Sequence, residues 1–286
     1  MPLRSTAVGH PFDPITVCPD ARWCMAFAAG VPDDRPELYA TDAHLVVHPL
    51  FPVAPEWEQI VGNRSLPAGM TIDEARRGIH VGHDLVLHRP LQAGEQLTVQ
   101  AYITAVGRRP AGASQEMLFV ATDPSGDVVW RTRFTSLFLG VELEGEPAAT
   151  THDWPATPLL ARAETAEPIA VRRSHVGLLD AHVYSECARI WNPIHTDVVA
   201  ARAAGLPAPI LHGTATLARA VSIVTDLEGA VLGDVRRIAG RFGAMVALGS
   251  AIDVRLLGSE GDTLTFDVLD QRGKRVISNG LVQFSR

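Results

Sequence analysis

The residues best placed to do chemistry in this 286-residue chain lie between Asp180 and Ala218, in DAHVYSECARIWNPIHTDVVAARAAGLPAPILHGTATLA. His195 follows Asn192-Pro193 on a short connection, and an imidazole with its ordinary pKa of about 6.5 works as base or acid near neutral pH. His212-Gly213 opens an apolar stretch that reads as a helix. A helix start leaves backbone N–H groups unpaired and carries partial positive charge, so the Gly213 amide suits a developing oxyanion. Glycine also lets a substrate carbonyl come close. Together these groups suit proton transfer beside an acyl carbonyl, such as a thioester turning enolate-like, and the reading needs no metal.

The elements that position them follow from local signals. Asp180 suits the N-cap of a helix running through Arg189 or Ile190, which Asn192-Pro193 should end, because a residue before proline avoids the α region. Thr196 or Asp197 caps a second helix, VVAARAA, that stops at Gly205. From Gly213, GTATLARAVSIVTDLEG is apolar nearly all round, which suits burial inside a curved sheet. The strands lie in two groups. Leu97–Gly107, Met117–Asp123 and Val128–Leu139 form one antiparallel meander; Ala251–Leu257, Thr263–Asp270 and Arg275–Phe284 form another. PSGD and QRGK supply the reversals. Helix candidates before the first meander are CMAFAAG near Cys24 and PEWEQIVG near Pro55. The segment from about Glu142 to Pro168 reads as a linker.

Composition narrows the function classes. Lys+Arg 25 against Asp+Glu 32 leaves a net charge of −7, and 47% hydrophobic with 20% charged residues is a globular balance. An acidic chain with 6% aromatics lacks the footprint of a nucleic-acid binder. Three dispersed cysteines make neither a disulfide framework nor a zinc site. Neither a signal peptide nor an apolar run long enough for a bilayer is present, so the expectation is a cytoplasmic chain with no membrane partner.

YSECARIWNPIHTD followed by GLPAPILHG resembles the signature of MaoC-like, (R)-specific enoyl-CoA hydratases of the double hot-dog, hydratase-2 type. MAFAAGVPDDRPELYATDAHLVVHPLFPV is similar to that type's first-half acyl-binding segment, and FTSLFLG, RRIAGRF, ISNGLVQF and HDLVLHRPLQAGEQL also have counterparts. The resemblance implies an α+β double hot-dog: a first half over residues 1–141, a linker over 142–168, and a MaoC-like half over 169–286. It implies an acyl thioester, on coenzyme A or an acyl carrier, as substrate with no separate cofactor. Monomer and homodimer both remain open.

In that family the motif runs Ser-Gly-Asp-x-Asn-Pro-x-His, its aspartate and histidine activating the water. Here Ala188-Arg189-Ile190 stands in place of Ser-Gly-Asp, while Asn192, His195 and His212-Gly213 match. The implied site is thus His195, Asn192 and Gly213 for catalysis, with His212, Ile190 and Arg241 against the substrate. A positioned acid or base contributes about 10²–10⁴-fold, so a His-only site implies a specialised hydro-lyase; the alternative is a non-catalytic thioester-binding protein or supporting subunit. Glu186 stands four residues before Ile190, either as a displaced carboxylate or as a solvated helix residue. Asp197 is a second nearby carboxylate, with helix capping as its simpler role. Asn192 either donates to substrate or fixes the turn. Arg189 can pair Glu186, meet a substrate carboxylate or point to solvent. Arg241 sits where a basic side chain meets cofactor phosphate, or on the surface. Tyr184 and Trp191 read as packing. His44, His48, His80, His83 and His88 belong to the first half, where no matching Asp/His pair is seen.

Overall fold

The computed structural model describes residues 2–42, 45–62, 69–156 and 167–285. The first half runs β1 (Ile15–Val17), α1 (Ala21–Gly30), α2 (Val53–Gly62), β2 (Gly78–Leu87), β3 (Leu97–Arg109), β4 (Gly112–Thr122) and β5 (Val128–Leu139). The second half repeats the plan with β6 (Ala170–Val176), α3 (Asp180–Ala188), α4 (Val198–Ala203), α5 (Gly213–Glu228), β7 (Val235–Phe242), β8 (Ser250–Glu260), β9 (Thr263–Asp270) and β10 (Arg275–Phe284). Capping sets several boundaries. Asp20 accepts the Trp23 N–H at 2.8 Å to start α1, Asp197 accepts the Val199 N–H at 2.7 Å to start α4, and Gly229 in the left-handed region ends α5.

The strands form one antiparallel sheet in the order β1-β3-β4-β5-β2-β7-β10-β9-β8-β6. The order reads as the same repeat from either end. Both expected meanders are present, each with a bulge at the same place, between Ile103 and Ala105 on β3 and between Leu256 and Gly258 on β8. The halves join along β2 and β7, where His83 faces Gly240 and Gly82 faces Arg241. Those two joining strands were not among the strand expectations. β7 carries three arginines, and the buried one, Arg237, is neutralised across the join by Asp84 through two 2.9 Å contacts.

The long helix α5 buries Ala215, Leu217, Ala218, Val221 and Val224 against β7, β8 and β9, as its nearly continuous apolar surface requires. Both first-half helix candidates form, and α1 packs on α3. After β5 the chain stays on the sheet. Ala148–Ala149 pairs with β3, and Trp154 donates its indole N–H to Asp84 at 2.9 Å with the guanidinium groups of Arg131 and Arg133 over its ring. Residues 157–166 of the expected linker lie outside the described residues. Among the described residues, no helix is long and apolar enough to cross a membrane.

Candidate active site

α3 ends at Ala188, earlier than expected, because Arg189 turns into the left-handed region at φ 57° and the Ile190 N–H folds back on the Ser185 carbonyl at 3.0 Å. Asp180 is not its cap. It lies within the first turn, accepting the Gly177 N–H at 2.9 Å and the Arg219 guanidinium at 2.6 Å. Beyond Ile190, Asn192 faces the Ile194 N–H and Pro193–His195 make a single 3-10 turn, so the amide of Asn192 serves the turn.

That turn lays the His195 ring flat on His212, with centroids 3.6 Å apart and planes 25° apart. His195 Nδ1 lies 2.9 Å from the Ile210 carbonyl. A carbonyl only accepts, so the proton sits on Nδ1 and Nε2 keeps its lone pair. His212 Nε2 lies 3.1 Å from Ser185 Oγ, and the ring also meets the Ile190 backbone. Tyr184, with its ring 4.9 Å from His212, donates its hydroxyl to Thr214 Oγ1 at 3.1 Å. Two residues of α3 therefore hold the first turn of α5 in place. Burial pushes His195 down to about 4, opposed by the Ile210 carbonyl. Burial likewise holds His212 well below its ordinary value, with the neighbouring His195 adding to the effect. Both imidazoles are neutral at pH 7.

Gly213 is the first residue of α5, and a methyl there would lie 3.1 Å from the Phe242 ring. Glycine is what lets Phe242 approach. The structure thus gathers His195, His212 and Gly213 at one helix start. Ile190 is 5% exposed and belongs to the apolar core. Glu186 is exposed, and Asp197 caps α4, so the structure directs neither carboxylate into this group. Arg241 alternates along β7 with Gly240 and Phe242 and points to the opposite face, exposed and away from this group. Arg189 is exposed and stands over the Trp23 ring at 4.0 Å, a contact between the halves. Tyr184 is buried, whereas Trp191 is 58% exposed.

Residues 167–279 match the model of the MaoC like domain. The chain is 35% identical over 118 residues to a fatty acid synthase subunit beta of Aspergillus oryzae; the match covers 37% of this chain and 6% of that protein. Among solved structures, a MaoC-like dehydratase from Phytophthora capsici superposes with a TM-score of 0.83 at 18% identity, over 99% of this chain and 97% of that one. Full-length peroxisomal multifunctional enzyme type 2 from Drosophila melanogaster gives 0.75 at 22% identity, over 95% of this chain and 48% of that one. A conserved Mycobacterium tuberculosis protein described as having a double hotdog fold gives 0.62 at 14% identity, covering 96% of this chain and 95% of that one. The chain is a double hot-dog.

The first half of this double hot-dog repeats the frame of the site with different residues. Its 3-10 turn Pro36–Leu38 corresponds to Pro193–His195, which puts Asp33 at the repeat position of Ile190 and Leu38 at that of His195. By that spacing a carboxylate stands in one half and a histidine in the other. Aligning the two prolines in the sequence would have revealed this. Asp33 is buried and paired with Arg35, and His48 is held between the Leu50 N–H and Ser222 Oγ, each at 3.1 Å. A cavity of about 700 Å³ opens there, lined by His48, Pro49, Leu87, Leu91, Leu232 and Val235. It borders the ends of β2 and β7 remote from Phe242. His44 lies outside the described residues.

Proposed function

We propose that the chain is a hydro-lyase of acyl thioesters, interconverting an enoyl thioester and its 3-hydroxyacyl form in the cytoplasm with His195 as its only proton-transferring side chain. The observation that carries this is the Nε2 lone pair of His195, left free by the Ile210 carbonyl at 2.9 Å from Nδ1, on a ring stacked against His212, the residue before Gly213 at the start of α5. In the hydration direction Nε2 takes a proton from water as the water oxygen bonds to the β-carbon. The displaced π electrons reach the thioester oxygen, held by the Gly213 N–H. The imidazolium then returns the proton to the α-carbon, leaving His195 neutral. Phe242, packed against Gly213, is the ring that a bound thioester displaces. The thioester is carried by coenzyme A or an acyl carrier and no further cofactor enters.

The MaoC like domain over residues 167–279 and the fold shared with a dehydratase support this reading. A base held near pKa 4 abstracts protons weakly, so turnover should be slow on simple substrates. The test is hydration of crotonyl-CoA: His195→Ala should lower kcat by about 10²–10⁴-fold, and wild-type activity in that variant would sink the proposal. The buried Ile190 favours a second reading, a protein that binds thioesters without turnover. An inert parent that gains activity in Ile190→Asp would establish it.

A further inference from the structure

We propose that His83, from the first half, hydrogen-bonds the oxygen that is added or removed at the second-half site, supplying the polar contact that Ile190 does not. The inference rests on the thioester reading above for the identity of that oxygen. His83 lies in the middle of β2, 3% exposed, and among the described residues neither of its ring nitrogens has a partner. A neutral imidazole carries one donor and one acceptor, and leaving both unmade in an interior is unfavourable. Such a group calls for an explanation. A water molecule or a hydroxyl, which both donates and accepts, answers either nitrogen.

The strand register shows where the ring is aimed. His83 stands directly opposite Gly240, and opposed residues of an antiparallel pair project from the same face. A Cβ on Gly240 would meet Leu217 Cδ1 at 3.4 Å, so that face is the one covered by α5. Gly240 itself places no side chain between His83 and the helix. Leu217 is one turn along α5 from Gly213, and Phe242, two residues along β7 from Gly240, packs on Gly213. His83 therefore looks toward the first two turns of α5. Its other flank is closed by His80, 5.4 Å away, which stacks on Phe134 at 3.8 Å and leans on Phe242 at 4.6 Å. The bulge between His80 and Gly82 turns both histidines inward, and His80 Nε2 is already engaged by the Gly82 carbonyl at 3.0 Å. The ligand class is an acyl thioester with oxygen on its β-carbon. His83 holds that oxygen, and the proton is moved by His195 alone.

The test compares (R)-3-hydroxybutyryl-CoA with butyryl-CoA, which lacks the hydroxyl, by calorimetric titration of the wild type, His83→Leu and His83→Gln. His83→Leu should weaken binding of the hydroxylated thioester by about tenfold and leave butyryl-CoA unchanged. The thermal midpoint should hold or rise, because an unpaired polar group has left the interior. His83→Gln, which keeps a donor and an acceptor, should recover most of the affinity, and His83→Met replaces the leucine variant where branching fits poorly. Equal loss for both thioesters, or loss for neither, overturns the proposal. Selective loss without any crotonyl-CoA turnover sinks the hydro-lyase reading and keeps this contact. Wild-type turnover and affinity in His83→Leu does the reverse, and failure of the parent to bind either thioester overturns both.

Discussion

At the scale of single residues, the interior pairs its buried charges, as in Arg237–Asp84 and Arg219–Asp180, and holds its unpaired ionisable groups in their neutral forms. His195 and His83 are each pushed down to about 4 by burial, and Glu56 on α2 is pushed up to about 8 by the same cause. Glu56 is 1% exposed and accepts from Trp130 Nε1 at 2.9 Å and from the Thr132 hydroxyl, which oppose the shift without reversing it. Raising a carboxyl from 4.5 to about 8 on folding fixes a sign. Below the unfolded value both states hold the proton and the stabilisation is complete. As pH rises, the unfolded chain releases its proton first, and the stabilisation drains away through the folded value. The histidines work oppositely, stabilising above about 6.5 and losing that contribution as pH falls toward the folded value. Comparing wild type with Glu56→Gln isolates the carboxyl. Between pH 5 and pH 8 the wild type should lose stability relative to the variant by an amount on the order of a few kcal/mol, read from urea midpoints. Parallel curves for the two proteins would show that Glu56 ionises normally.

At the scale of elements, the site depends on how α3 grips α5. Ser185 meets His212, Tyr184 meets Thr214, and Asp180 meets Arg219, whose side chain is 2% exposed. Asp180→Ala leaves that guanidinium buried with only the His175 carbonyl, a loss expected to cost about 3–5 kcal/mol in urea unfolding. Asp180→Asn should cost less, since it keeps an acceptor for the Gly177 N–H. A wild-type midpoint in Asp180→Ala would mean that Arg219 reaches solvent. These elements differ in how legible they were beforehand. β5, β9 and β10 have the bounds that alternation and the PSGD and QRGK reversals indicate, and α5 declares itself by its apolar surface. That His195 and Gly213 come to one helix start was legible because local turns position them. β2 and β7 could not, because what makes an arginine tolerable in β7 is Asp84, distant in sequence and adjacent only after the halves pair. His83 was hidden for the same reason: Gly240, which it faces, comes from the other repeat. Arg241 lies on the exposed face of β7, opposite α5, because a strand alternates its faces, and the resemblance alone did not say which face would bear the helix.

At the scale of the whole molecule, the central pair β2 and β7 makes the two halves one body. The second half alone would expose β7 along its length, an edge whose Ile238 is fully buried in the intact chain, and would also uncover the face of α3 that packs on α1. A free edge of that kind is a template for pairing. Because the intact sheet reads alike from both ends, a second copy of the half could take the place of the first half, setting one β7 antiparallel to another about a true two-fold axis. Residues 167–286 expressed alone should therefore run as a dimer or precipitate, as measured by size exclusion with light scattering. Arg237 would then face a second Arg237 region in place of Asp84, so the dimer should be less stable than the full chain. A well-folded monomer of that segment would show that the second half closes its own edge, and that the junction on which His83 depends does not hold the protein together.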